Sequence, residues 1–124
     1  MSRSIGIDMP IDFPTNSHNA VAVKLGSYRP RAPDVWAEHA SGWNAVASRY
    51  KLASRADEKF TASITLSVPT LDEYQVQAEA LFIFFTAGYA SIESFTYALF
   101  ALGALLKPID FPMSKPEDRK AINP

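Results

Sequence analysis

Residues 80–106, ALFIFFTAGYASIESFTYALFALGALL, decide the fold, and within them Glu93 is the sole charged residue. No proline falls between Pro69 and Pro108, and Thr70 followed three residues later by Glu73 is the capping-box pattern of a helix start. The spacing predicts a helix over 71–106, roughly 50 Å long at 1.5 Å per residue. Gly88 and Gly103 weaken it by up to ~1 kcal/mol each without breaking it. On a helical wheel the stretch divides into three faces. Leu81, Phe84, Phe85, Ile92, Phe95, Leu99, Leu102 and Leu106 make a broad bulky face. Ala87, Ala90, Ser94, Ala98 and Ala101 make a small-residue face that another backbone can approach closely. Gln75, Glu79, Thr86, Glu93 and Tyr97 form a narrow polar stripe between them.

Upstream, Trp36, Ala40, Trp43, Ala47, Tyr50 and Ser54 recur every three or four residues, with His39 and Val46 beside them. Glu38, Ser41, Asn44, Ser48, Lys51, Arg55 and Lys59 occupy the opposite side. This is a surface helix with one apolar stripe, expected over 34–58. The alternation TASITLSV at 61–68 favours an extended connector, although Phe60 and Ile64 also continue the helical stripe. Residues 1–33, broken by Pro10, Pro14, Pro30 and Pro33, read as irregular, with strands conceivable at Ile5–Ile7 and Ala20–Leu25. The tail 107–124 reads as loop. Pro-Ile-Asp-Phe-Pro occurs at both Pro10–Pro14 and Pro108–Pro112, which reads as two similar turns, each packing a phenylalanine.

The 124 residues suit one domain, 1–124, mainly α and built on an antiparallel pair of long helices with the N-terminal segment over them. One apolar stripe on the first helix covers only one face of the second. The remaining apolar perimeter needs a partner: the N-terminal segment, a second copy, residues beyond Pro124, or lipid. Four large side chains left in water forgo about 1.5–3 kcal/mol each, comparable with a small domain's whole stability. Phe84, Phe95, Leu99 and Leu102 are therefore the expected interface. Residues 80–106 also sit near the hydropathy threshold of a membrane span. Glu93 at its middle would cost at least ~2.5 kcal/mol there, so a core or interface helix is preferred.

Composition narrows the chemistry. A net charge of −1 gives no global attraction for nucleic acid, and the Lys51, Arg55, Lys59 ridge is a weak phosphate contact on such a chain. With no cysteine, thiolate metal sites and thiol nucleophiles are excluded. The histidines, His18 and His39, lack the Glu-x-x-His partners of a di-iron bundle; no metal or cofactor is expected. No phosphate loop or nucleophile elbow is present. Glu93, flanked by Tyr97 and in line with Glu79, is the candidate polar site, held by Tyr97 or by a base from the first helix. Met1–Pro14 carries Asp8, Asp12 and two prolines and does not read as a secretory signal, so a cytoplasmic address is expected.

The run Thr86-Ala87-Gly88-Tyr89-Ala90-Ser91-Ile92-Glu93-Ser94-Phe95 resembles a helix of HEPN-type domains, small residues followed by Ile/Leu-Glu-Ser/Ala-Phe. The resemblance covers one helix. It implies an intracellular helical bundle, often dimeric, with some members acting on RNA. The nuclease members' Arg-x(4–6)-His pair is missing, since Arg31 to His39 is one residue too long. The resemblance therefore implies a non-catalytic member, or a fragment without the catalytic helix. From the residues themselves the expected function is a small non-catalytic assembly module that buries its second helix against a helical partner, foremost a second copy. The alternatives are the one the resemblance implies, a non-catalytic member or fragment of a HEPN-type RNA-directed or nucleotide-handling protein with Glu93 near its site, and a single-span membrane protein.

Overall fold

The computed structural model describes residues 8–64 and 67–122. Helix α1 spans Thr15–Leu25 and leads through a 3-10 turn, Gly26–Tyr28, into α2, Pro33–Ser63. Helix α3 spans Leu71–Leu106, and a short α4 covers Pro116–Ile122. No strand occurs among the described residues. The mainly α fold read from the sequence is present, and its frame is the antiparallel pair of α2 and α3.

Helix α3 starts as its sequence dictates. The Thr70 hydroxyl accepts from the Glu73 backbone N–H, and the Glu73 carboxylate accepts from the Thr70 N–H at 2.7 Å. At the start of α2, Pro33 takes the first helical position, where its missing N–H costs nothing.

The contact between the pair runs along small residues. Gly42, Ala53 and Ala56 of α2 lie buried against Ala80, Ala87, Ser94, Ala98 and Ala101 of α3. A Cβ on Gly42 would stand 3.2 Å from the Tyr97 ring and 3.3 Å from Ala98, so the helices are as close there as the side chains permit. The small-residue face of α3 thus takes α2. The stripe expected to cover it is shifted by part of a turn: Val35, His39 and Gly42 are buried along with Ala47 of that stripe, while Trp36, Trp43 and Tyr50 are half-buried. Aromatic rings at the centre would have held the backbones apart.

Three expectations need correction. Residues 1–33 are not irregular throughout, because Ala20–Leu25, considered as a strand, belongs to α1. His18 and Leu25, seven residues and two turns apart, are its buried pair, a helical period that the apolar run Ala20–Val23 obscured. Ile5–Ile7 lies outside the described residues. Helix α2 runs five residues past 58, absorbing Thr61–Ser63 of the expected connector, and turns extended at Ile64. The tail is not loop throughout: α4 forms with Glu117 and Asp118 in its first turn and Arg119 and Lys120 in its last, as the helix dipole favours.

Both copies of Pro-Ile-Asp-Phe-Pro make turns. The Phe13 N–H bonds Pro10 O, the Phe111 N–H bonds Lys107 O, and each ring faces a helix. Phe13 packs against His18 and Tyr50, and Phe111 makes an edge contact with Phe100 and covers Gly103. The hydrophobic core lies at this end of the pair, where Val35, Ala101, Ala104 and Leu105 surround Met113. Met113, at 1% exposure, is the one large side chain fully enclosed among the described residues. Away from that end the α2–α3 contact is lined by small residues and tied by side-chain bonds such as Arg49 to Ala90 O and Gln77 to Ser63 O.

Candidate functional site

Two surfaces of α3 remain once α2 is in place. The first is a groove of about 590 Å³ between α2 and α3, lined by Glu38, Ser41, Gly42, Ala45 and Arg49 on one wall and Tyr89–Tyr97 residues on the other. Its polar groups are mostly committed to each other. The Tyr97 hydroxyl donates to Glu38 at 2.7 Å, and Arg119 of α4 reaches the other Glu38 oxygen at 3.4 Å. The Arg49 guanidinium donates to Ala90 O at 3.1 Å and to the Ser94 hydroxyl. Arg49 and Glu38 stand three turns apart along one edge of α2. That 38, 41/42, 45, 49 spacing was in the sequence, but it carries too few polar residues to stand out.

Glu93 opens onto this groove and is exposed, not apolar-enclosed. The expected partners go elsewhere, because Tyr97 turns to Glu38 and Arg49 caps the α3 carbonyl. Glu79 is also exposed and accepts from Gln75 one turn earlier; fourteen residues, about 21 Å along the helix, separate it from Glu93. The structure therefore brings Glu93 and Tyr97 to one groove and leaves Glu79 out. An exposed carboxylate with no bonding partner among the described residues can be lost cheaply. Glu93→Leu is expected to leave the fold intact and move stability by no more than about 0.5 kcal/mol in urea unfolding, and outright unfolding would contradict this.

Burial, followed by the hydrogen bond to Glu38, pushes the Tyr97 phenol from 10.0 up to about 12. The folded state therefore favours the protonated phenol. Its contribution is complete below pH 10 and is lost as pH rises from 10 towards 12. The melting temperature is expected to fall across that window, and less steeply in Tyr97→Phe.

The histidines are structural in geometry. His39, 3% exposed, donates from Nδ1 to Ala98 O at 3.0 Å, which pins α2 to α3; its Nε2 is buried without a partner. His18 bonds Trp43 O while the Trp43 indole N–H donates to His18 O, and the two rings stack at 4.8 Å. This reciprocal clamp fastens α1 to α2 and was not foreseen, since twenty-five residues separate the partners. No group of three or more metal-ligating side chains assembles among the described residues. Within the groove's lining the Ser94 hydroxyl donates to Ala90 O and accepts from Arg49, so it is already committed.

The second surface is the bulky face of α3. Phe84, Phe85, Tyr89, Ile92, Phe95 and Leu99 are all exposed, Phe85 at 67% and Ile92 at 66%. Leu102 is half-buried. Phe95, 42% exposed, packs a tilted ring against Trp43 with 6.2 Å between centroids. By length and composition α3 is apolar enough to cross a membrane, with 28% of its most apolar window buried.

The chain matches no protein-family model, no curated protein and no solved structure.

Proposed function

We propose that this protein is a self-assembling helical module whose work is done by the bulky face of α3, closed in the working state by a second copy of the chain. The observation that carries this is area. A compact chain of 13.7 kDa exposes about 6,600 Å². This one exposes 9080 Å². The excess is larger than the ~800 Å² that each partner contributes to an ordinary stable interface. On α3, Phe82, Phe85, Tyr89 and Ile92 are each 66–71% exposed, apolar surface of a kind that soluble monomers rarely leave bare.

A pair of antiparallel helices with one open apolar face is half of a four-helix bundle, and a second copy supplies the other half without any further component. Lipid is the weaker occupant. Helix α2 carries Lys51, Arg55, Asp57, Glu58 and Lys59 and cannot follow α3 into a bilayer. Inserting α3 alone would strip the bonds from His39, Arg49 and Ser91 that join the two helices.

Assembly makes stability depend on concentration. The melting temperature of detergent-free protein is expected to rise by several degrees between micromolar and hundred-micromolar samples. A melting temperature independent of concentration, or recovery only from membranes, would overturn the proposal.

A further inference from the structure

The bulky face of α3 contains a register. Leu81, Phe85, Gly88, Ile92, Phe95 and Leu99 follow one another in steps of four, three, four, three and four. The series extends without a break to Tyr74 and Ala78 before it and to Leu102 and Leu106 after it. This is a coiled-coil seam of more than four heptads. It is distinct from the alanine seam that faces α2. Every member is exposed except Gly88 and Leu102, which are half-buried.

Resting on the self-assembly reading, we propose that two copies pair α3 with α3 antiparallel along this seam, in the register where facing residue numbers sum to about 180. Size carries the choice. In that register Gly88 faces the second copy's Ile92, Ala78 faces Leu102, Leu81 faces Leu99 and Phe85 faces Phe95. Each small residue meets a large one and almost the whole helix is overlaid. A parallel pair would set Gly88 on Gly88 and leave a hole at the centre. A Cβ on Gly88 meets nothing within 4 Å in the single chain, so nothing in the chain itself needs a glycine there. Charge agrees. Helix α3 has no basic residue, and Asp72 and Glu73 crowd its start. An antiparallel pair sets that acidic end beside the second copy's Lys107, whereas a parallel pair sets it on its own likeness.

Cysteine cross-linking reads this directly, because the chain has no cysteine of its own. Leu81→Cys, Leu99→Cys and the double variant are treated with a short bismaleimide after circular dichroism and light scattering confirm helicity and mass. The proposal expects a covalent dimer from the double variant and from a mixture of the two single variants. Neither single variant alone should link, since like positions then lie about 27 Å apart. Linking of each single variant would overturn the antiparallel order. A dimeric mass with no linking in any sample would overturn the register. A monomeric mass would instead overturn the self-assembly reading beneath it. Gly88→Leu gives an independent readout: antiparallel pairing expects a dissociation constant raised at least tenfold by the clash with Ile92, and parallel pairing expects it lowered.

Discussion

Ile92→Lys is expected to convert the assembled protein into monomers at micromolar concentration. Ile92 is 66% exposed in the single chain and lies mid-way along the bulky face, at the rim of the groove that α2 shares, so the substitution costs little within the α2–α3 pair. In a symmetric pair it acts twice. Losing the burial of two isoleucines forgoes about 3–6 kcal/mol, which is a hundredfold or more in the dissociation constant. Desolvating two ammonium groups adds to that. Analytical ultracentrifugation checks it: the variant should sediment as a single chain and melt at a lower temperature than the parent. A variant that keeps the parent's sedimentation coefficient would show that this face is not the interface.

Gly42→Leu is expected to damage the single chain itself. The added side chain would start 3.2–3.3 Å from Tyr97 and Ala98 and would have to wedge α2 away from α3. Overpacking of this kind costs about 1–3 kcal/mol and occasionally more. The upper end is expected here, because the nearby His39 to Ala98 O bond must stretch with it. Gly26→Leu is the control, since a Cβ at Gly26 meets nothing within 4 Å. Urea unfolding should separate the two variants by about 2 kcal/mol or more. Equal stabilities would mean that the helices do not meet at Gly42.

The two substitutions divide the molecule along the line on which its sequence was readable. Helix α3 was legible almost to the residue, because a capping box, a proline-free run and a three-faced wheel all report locally. The face assigned to small residues does receive α2, and of the expected interface Phe84, Phe95 and Leu99 are exposed while Leu102 is half-buried. What escaped were choices made by distant partners. Trp36 and Trp43 look like the centre of the α2 stripe, yet the centre falls on Val35, His39 and Gly42 because α3 presents alanines and draws close. Helix α1 was hidden because its buried pair, His18 and Leu25, includes a polar residue that is buried by stacking on Trp43 and bonding its carbonyl. The groove was half-legible. Glu93 and Tyr97 share it, but Tyr97 bonds Glu38 and Arg49 takes Ser94, pairings across forty-five or more residues that no local pattern encodes.

The central claim is that the chain's own elements leave α3 under-covered and that a second chain completes it. Light scattering on the purified, detergent-free protein tests this most directly. A mass of at least twice 13.7 kDa is the predicted result, and a compact particle of 13.7 kDa at high micromolar concentration would contradict it.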